Sequence, residues 1–449
     1  MKKGIIIVFA AVMLLSSALY ADLAVTVYNQ NLGVVKDQRS IDFQKGKFEY
    51  SLVDVPSQID PTSVHFKLLQ NPDAAALLEQ NYRYDLVGFN KILDKYIDKT
   101  IEMVHEDGRI YSGTLLSHDG NTVTLMKPDN SLEVVQTEKI TKFDFPKLPE
   151  GLITKPTLVW LFDSELSGSQ DAEVSYMTKG MNWHAEYVGV ISQKDDYLDI
   201  SAWVSIENNS GATFKDAKLK LVAGDLNLVP DRPVVRREPV YVTGEIAQAA
   251  RGFEEKAFFE YHLYTLPRTT SLANKEIKQI SLFEPTTTPV DKKYVYTGRS
   301  DVKVNLEFMN SEENGMGMPL PAGKVRIMKR DSDNALEFVG EDRLDHTPRD
   351  EKVELFLGNA FDLVGERIVH DVRVIAKGVS EEDVEIKLRN HKEDEEVEII
   401  VRLRLPRSKV KILKSNFEYN RVDAHTVEFV VPVKPDEEKI LTYTVRTES

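Results

Sequence analysis

Apolar and polar side chains alternate along much of the chain. The clearest run is 396–405, where the apolar positions are Val397, Ile399, Val401, Leu403 and Leu405. Similar alternation covers 198–206, 427–433 and 441–445. A period of two indicates strands with one buried face and one face in water. Turn residues separate these runs, which favours consecutive short strands.

Helical patterns are few. Residues 91–96 are long enough for one or two turns, and 245–259 is the best longer candidate, because Ile246, Ala249, Ala250 and Phe253 recur at helical spacing. We therefore predict a mainly β, multidomain protein built of β-sandwich modules and a small barrel, with few helices.

The first 21 residues have the pattern of a cleaved export signal. Lys2 and Lys3 precede an apolar run, 5–15, that is short for a bilayer span, and small residues lead to Ala21. We expect an exported protein, periplasmic or secreted; an uncleaved membrane anchor is the alternative. The sequence after the signal has no run of about 18 apolar residues, so we predict no transmembrane segment after cleavage.

Composition excludes several classes of site. The 449 residues include no cysteine, which rules out disulfides, thiolate nucleophiles, lipoprotein anchors and cysteine-ligated metals. The 57 basic and 72 acidic side chains give a formal charge of −15. An acidic surplus argues against a nonspecific nucleic-acid binder, which needs a clustered basic face.

The segment 85–146 has the pattern of a compact five-stranded unit. Asp107-Gly108 and Asp119-Gly120 are typical of tight hairpin turns, and Gly113 within a strand indicates a sharp bend. The predicted strands are 100–105, 109–116, 121–126, 131–136 and 140–145.

These residues resemble an Sm-like or SH3-like barrel. The resemblance rests on a short preceding helix and on Asp107-Gly108-Arg109, Gly113, Leu115 and Asp119. It implies RNA binding and ring assembly. However, Gln136-Thr137 stands where such proteins carry Arg-Gly, and the unit follows an export signal, so we expect a structural or protein-binding barrel and no nucleic acid.

Turn spacing and composition predict five segments. They are a signal peptide at 1–21, an N-terminal β segment at 22–84, the barrel at 85–146, a central β domain at 147–366 with a long loop at 230–256, and an immunoglobulin-like sandwich at 367–449.

Several motifs along the chain share a further resemblance. They are Val25-Thr26-Val27-Tyr28-Asn29, the hairpin at Gly46, Val55-Pro56-Ser57-Gln58-Ile59-Asp60-Pro61-Thr62-Ser63-Val64, Gly180-Met181-Asn182-Trp183-His184-Ala185-Glu186-Tyr187, Ile206-Glu207-Asn208-Asn209-Ser210-Gly211, Leu320-Pro321-Ala322-Gly323, Phe338-Val339-Gly340-Glu341, Arg389-Asn390-His391-Lys392 and Tyr443-Thr444-Val445-Arg446. With these motifs the chain as a whole resembles mucoidy-inhibitor-like bacterial proteins that carry domain of unknown function 4139. The resemblance implies an exported multidomain β protein and brings no established activity. Many relatives carry a coiled coil where the barrel stands here. An inserted barrel predicts that strands before residue 85 pair with strands after residue 150.

His184 and Glu186 are the most notable polar pair. Two apart on a strand, they share one face, where they could supply two metal ligands or an acid–base couple. A polar outer face is the favoured interpretation, and a buried, hydrogen-bonded His184 is a third. Trp203 has the polar run-mates Ser201 and Ser205, so an exposed ring there would form a carbohydrate or peptide platform.

Other motifs carry little chemistry. Gly315-Met316-Gly317-Met318-Pro319 begins like a dinucleotide loop, but its prolines favour a mobile turn. Asp331-Ser332-Asp333-Asn334 lacks the later residues of a calcium loop, which favours a hairpin turn. We assign no catalytic, cofactor-binding or metal-binding residue and no cofactor.

The sequence therefore predicts an exported, noncatalytic protein of the cell envelope that binds another protein or a surface polysaccharide. Protein partners come first, because edge strands accept added strands. A polymer-acting hydrolase is the alternative, and nucleic-acid binding through the barrel is third. The oligomeric state stays open.

Overall fold

The fold is mainly β, as the alternating pattern predicts. The structure is a computed structural model that describes residues 22–224, 226–228, 254–258, 261–299, 301–405 and 410–448, with only the backbone of 254–258. Strands hold 68 % of these residues. The predicted signal peptide at 1–21 and most of the predicted loop at 230–256 lie outside the described residues.

Five strands precede residue 85. Their bounds are β1 Asp22–Tyr28, β2 Leu32–Phe43, β3 Gly46–Val53, β4 Ile59–Leu68 and β5 Ala75–Arg83. A 3₁₀ turn at Pro72–Ala74 leads into β5. Buried and exposed side chains alternate along β2 and β3, as expected for strands that cover a core on one face.

The next unit is a five-stranded antiparallel sheet with a core of its own. It contains α1 Phe89–Tyr96 and the strands β6 Thr100–His105, β7 Ile110–His118, β8 Thr122–Met126, β9 Leu132–Gln136 and β10 Ile140–Asp144. The spatial order is β10-β6-β7-β8-β9. Leu93 and Tyr96 of the helix pack into this core. The strand positions match the sequence pattern, whereas the Sm-like identity stays a prediction.

Gly113 lies where β7 and β8 approach closely. A Cβ atom at this position would stand 2.7 Å from the main-chain oxygen of Met126, so only glycine fits without a shift of the backbone. Gly108 and Gly120 have φ angles of 85° and 90° in the two hairpin turns.

The strands after residue 150 pair with those before residue 85. The first of them are β11 Thr157–Ser164, β12 Gly168–Thr178, β13 Met181–Ile191, β14 Tyr197–Asn208, β15 Phe214–Ala223, β16 Glu254–Phe258, β17 Tyr261–Leu272 and β18 Glu276–Pro289. β11 lies between β3 and β5, β12 between β2 and β4, and β15 beside β1. The two chain segments therefore build one unit together.

The five-stranded unit leaves and rejoins this body at adjacent points. Leu86 forms a parallel bridge with Ile153. The Val87 N–H donates to the Ile153 carbonyl at 2.9 Å, and the Ile153 N–H donates to the Asp85 carbonyl at 3.1 Å. Neighbouring exit and entry points are the geometry that an inserted unit requires.

Strand β16 corrects the helix predicted at 245–259. Residues 254–258 form a strand that pairs with β17 at the edge of a seven-stranded sheet, and 245–253 lie outside the described residues. The four apolar residues at helical spacing lie within 246–253, outside the described residues, so the structure contradicts the prediction only at 254–258.

Two sheets face each other across the main core. The seven-stranded sheet has the order β16-β17-β15-β1-β2-β12-β4. The following strands are β19 Asp291–Tyr296, β20 Asp301–Asn310, β21 Gly323–Arg330 and β22 Leu336–Leu344. The facing five-stranded sheet has the order β18-β14-β13-β21-β22. Val25 and Val35 of the first sheet share one buried cluster with Trp183 and Tyr187 of the second.

The C-terminal unit begins earlier than the predicted boundary at 366/367. Its strands are β23 Glu351–Ala376, β24 Val379–Asn390, β25 Val397–Arg404, β26 Val410–Ser415, β27 Tyr419–Arg421, β28 Thr426–Val433 and β29 Glu437–Glu448. β19 and β20 belong to the same nine-stranded sheet, so a boundary at 366 falls within the continuous strand β23. Hydrogen-bonded strand structure continues from Glu351 to Ala376, so no turn marks a boundary at 366.

The nine-stranded sheet closes over a second core. Its order is β26-β29-β24-β23-β20-β19-β25-β28-β27, and residues of β24 and β29 share one buried cluster with residues of β25 and β28. Phe429 stacks on Tyr443 with ring centroids 5.8 Å apart. The packing is that of a sandwich, as predicted; the immunoglobulin-like topology stays a prediction.

Asp195 connects the strands around the main core with the C-terminal unit. It lies in the turn between β13 and β14 and accepts from Lys292 Nζ of β19 at 2.6 Å and from Lys329 of β21. Burial raises the pKa of Asp195, but the hydrogen bonds from both lysines outweigh burial, so the pKa is lowered. The Val290 N–H donates to the Asp196 carbonyl at 3.0 Å and adds to this junction.

The described helices are short. α1 has eight residues, whereas a bilayer crossing needs about 20. None of the helices in the described ranges has the length and apolar character to span a membrane.

Candidate functional site

His184 and Glu186 lie on the outer face of β13, as the sequence predicts for this pair. Burial alternates strictly along the strand. Trp183, Ala185 and Tyr187 point inward and are buried. The buried polar atoms of the inner face have partners: Trp183 Nε1 donates to the Val222 carbonyl at 3.1 Å, and the Tyr187 hydroxyl donates to the Pro321 carbonyl at 2.7 Å. The core therefore fixes the side on which the two outer residues stand.

Glu186 stands between two nitrogen-bearing side chains. His184 Nε2 is 3.4 Å from one carboxylate oxygen, and Arg326 Nη1 is 3.5 Å from the other. The side chains of His184 and Glu186 are 41 % and 24 % exposed. His184 is thus not the buried histidine of the third interpretation, and the pair contributes to a charged, partly solvated surface.

Trp203 lies directly beside this pair with much of its ring in water. It is 44 % exposed. Glu186 on β13 and Ser281 on β18 are its register partners on either side. A register shift beside Trp203 in the β14–β18 pairing accommodates an extra residue of β18, and such bulges re-aim side chains. The sequence did not decide whether the Trp203 ring is exposed, and the structure shows that it is.

Strands β21 and β22 extend the same face with charged side chains. Lys324 is the register partner of Glu186 and Arg326 that of Val188, because β21 runs parallel to β13. Both cations are 3.5 Å from a carboxylate oxygen of Glu341 on β22. We call Trp203, Glu186, His184, Ser281, Lys324 and Arg326 the Trp203 face.

The sequence did not single out Lys324 and Arg326, the basic residues of the Trp203 face, as candidate site residues. The alternation of Lys324 and Arg326 with the buried Val325 and Ile327 places both outside. Nothing local, however, indicates that this strand lies beside β13.

Most basic residues of the five-stranded unit at 85–146 are paired with acids. The pairs are Arg109–Asp107, Lys127–Glu133, Lys139–Glu106 and Lys142–Asp144. Hydrogen bonds from the side chain and backbone of Arg109 lower the pKa of Asp107. These pairs do not form the cluster of unneutralised cations that phosphate backbones attract.

The remaining motifs are turns. Asp331-Ser332-Asp333-Asn334 joins β21 to β22, with the Asp331 N–H donating to the Ala335 carbonyl at 2.9 Å, which confirms the predicted hairpin. Gly315 and Gly317 have φ angles of 82° and 85° in the turn after β20. Met316 between them is buried in the main core, which anchors the turn expected to be mobile.

Within the described ranges, no three histidine, aspartate or glutamate side chains are grouped so that they could hold a metal ion. No protein-family model matches the chain, and no curated protein is similar to it.

Proposed function

We propose that this is an exported, noncatalytic protein of the bacterial cell envelope that binds a surface polysaccharide through the Trp203 face. The observation that carries the proposal is the indole ring of Trp203, which is 44 % exposed on the sheet β18-β14-β13-β21-β22. A tryptophan is a costly residue to leave in water, because full burial of a large apolar side chain contributes about 2 to 3 kcal/mol.

The neighbours of the ring suit a carbohydrate. The C–H face of a sugar ring packs on an aromatic face, and its hydroxyls need hydrogen-bond donors and acceptors beside that face. Glu186 and Ser281 stand directly on either side of Trp203, and Lys324 lies one strand further. This mixture of a flat apolar ring and both signs of charge matches an uncharged or weakly charged glycan.

Export and family belong to the same proposal. Both rest on the sequence: the signal-like pattern of 1–21 and the motifs that resemble mucoidy-inhibitor-like proteins with domain of unknown function 4139. Expression of the full chain in a bacterial host, followed by fractionation and mass spectrometry, tests export. The proposal requires a mature N-terminus at Asp22 in the envelope or medium.

Glycan binding is tested on the purified chain without its signal segment. We expect binding to members of an array of bacterial surface glycans, followed by titration of the best oligosaccharide with tryptophan fluorescence. Trp203→Ala should weaken binding at least tenfold, about 1.4 kcal/mol, since the stacking surface is lost.

Tyr197→Ala is the matched control. Tyr197 is an exposed aromatic residue at the start of the same strand, β14, and its loss should leave affinity within about twofold. Equal affinities of wild type and Trp203→Ala would contradict the proposed site. Failure of all glycans, together with recovery of a protein partner from the envelope fraction, would favour protein binding.

A further inference from the structure

Strand β23 has a long free edge. Of its 26 residues, β20 pairs with the first part, up to Val364. Residues 365–376 are bonded to β24 on one side, and among the described residues no strand lies along their other side. Unpaired N–H and C=O groups along such an edge form a template for a further strand.

This edge exposes a row of aliphatic side chains. Val372 is 58 % and Val374 is 79 % exposed, and Val369 and Ile375 are also exposed. Natural edge strands are usually protected by lysine, proline or charged inward-facing residues. Four exposed aliphatic side chains within seven positions indicate a surface that is covered in the working protein.

A bulge at His370 aligns the valines. The register with β24 shifts between Val369 and Asp371. As a result, Val369, Val372 and Val374 lie on one side of the sheet, although 369 and 372 are three residues apart. This is the core side, since Val369 pairs with the buried Val384. The three valines therefore form an exposed apolar row on this side of the sheet, beside Glu382 and Ser380 of β24.

The charges on the opposite side are self-complementary. Asp371 and Arg373 point away from the core, where Arg373 Nη1 lies 2.8 Å from Asp371 and also bonds Asp383. In an antiparallel pairing of two copies centred on Val372, Arg373 of the first copy stands opposite Asp371 of the second. By symmetry, Asp371 of the first copy stands opposite Arg373 of the second. Opposite charges in register stabilise cross-strand pairing.

The apolar residues fit the same register. Val372 then meets Val372 of the second copy on the two-fold axis, and the bulge brings Val374 opposite Val369 of the second copy. An isologous contact requires a patch that complements itself in this way.

We infer that the free edge of β23 pairs antiparallel with the same edge of a second copy of this chain, with the two-fold axis at Val372. The pairing forms a continuous sheet across two C-terminal units. It is independent of the Trp203 face, which lies on another sheet.

The absence of cysteine makes the axis testable by single-cysteine cross-linking. The Cα atoms of directly opposed strand residues are about 4.5 to 5.5 Å apart, which suits a disulfide. Under mild oxidation, Val372→Cys should form a covalent dimer at least tenfold faster than two control variants. Val422→Cys has the same 58 % exposure away from this edge, and Val374→Cys is more exposed but off the axis.

Sedimentation of the purified chain provides the second measurement. We expect a concentration-dependent dimer in the wild type, and at least tenfold weaker association in Val372→Lys, since two lysines would meet on the axis. Val422→Lys should associate like the wild type. Circular dichroism of each variant establishes that it is folded.

Each alternative outcome overturns the inference. A wild type that stays monomeric at about 100 μM, or cross-linking rates that follow exposure, with Val374→Cys the fastest variant, would exclude this pairing. A dimer that persists in Val372→Lys would place the interface elsewhere.

Discussion

Asn208 is a buried polar residue whose removal tests how the central strands end. It is the last residue of β14 and is 1 % exposed. Its Nδ2 donates to the carbonyls of Ala212 at 2.9 Å and Leu272 at 3.0 Å. Its Oδ1 accepts from the Ser210 N–H at 3.1 Å and from the Ser210 hydroxyl at 2.7 Å. One side chain thus ties the end of β14 to the following turn and to the end of β17.

The cost of Asn208→Ala follows from the groups that it leaves unpaired. Three carbonyls, those of Ala212, Leu272 and Ala273, and the Ser210 N–H lose their side-chain partner. An unsatisfied buried group costs about 1 to 3 kcal/mol. Taking the lower end of that range for each, the free energy of unfolding should fall by about 4 kcal/mol.

Urea unfolding followed by tryptophan fluorescence measures this loss. Trp160, Trp183 and Trp203 are the three tryptophans of the chain, and all lie in the body that contains Asn208. The transition therefore reports on that body. We expect the midpoint to fall by about 1 M urea or more.

Asn209→Ala is the control, since its side chain is exposed one residue further on. It should change the free energy of unfolding by less than about 0.5 kcal/mol. A loss below about 1 kcal/mol in Asn208→Ala, close to that of the control, would refute the view that these hydrogen bonds hold the strand ends.

Asn208→Asp separates hydrogen bonding from volume. The carboxylate has nearly the same shape but faces two carbonyls, so burial should raise its folded pKa above the unfolded value of about 3.9. The protonated form then stabilises the fold: its contribution is complete below the unfolded pKa and is lost as pH rises through the folded value. The variant should lie closer to wild type at pH 4 than at pH 7, and a constant difference would contradict this account.

Two further predictions concern the five-stranded unit and the junction. Gly113→Ala should destabilise the unit at 85–146 by about 2 kcal/mol because the new Cβ meets the Met126 oxygen, whereas Gly88→Ala, with open space around it, should not; hydrogen exchange of the unit distinguishes them. Asp195→Asn should lower the free energy of unfolding by about 2 kcal/mol at pH 7. Because the pKa of Asp195 is lowered by its lysine partners, the wild-type advantage is present above the unfolded pKa of about 3.9 and is lost as pH falls through the folded value; an advantage that grows toward acid would contradict the ion-pair origin.

The local parts of the fold were predictable from the sequence. In the segment 85–146, glycine turns and alternation predict all five strands to within one or two residues, because hairpin partners are adjacent in sequence. The same alternation predicts the buried face of β25, whose apolar positions are buried. Periodicity predicts which face of a strand is buried, because the apolar face packs against the core.

The long-range pairings were less accessible. Strand β23 pairs first with β20 and then with β24 along one continuous strand of 26 residues, with no turn between the two pairings. A boundary placed where composition changes, at 366, therefore divides a continuous strand. Strand β16 shows a different limit: the helix predicted at 245–259 includes 254–258, and these five residues pair with β17 at a sheet edge.

For the Trp203 face, the sequence pattern predicts which side chains point outward, but it does not predict which strands lie side by side. Alternation alone placed His184, Glu186 and Lys324 outside, because Trp183, Tyr187 and Val325 fill the core between them. Their meeting depends on the parallel pairing of β13 with β21, which brings together residues about 140 positions apart. No hairpin turn specifies that pairing; it is set by the fit of both inner faces to one core. The packing of the core therefore determines which polar side chains meet on this surface. Substitutions at the buried Trp183 or Tyr187 would shift these polar side chains although none of them is replaced.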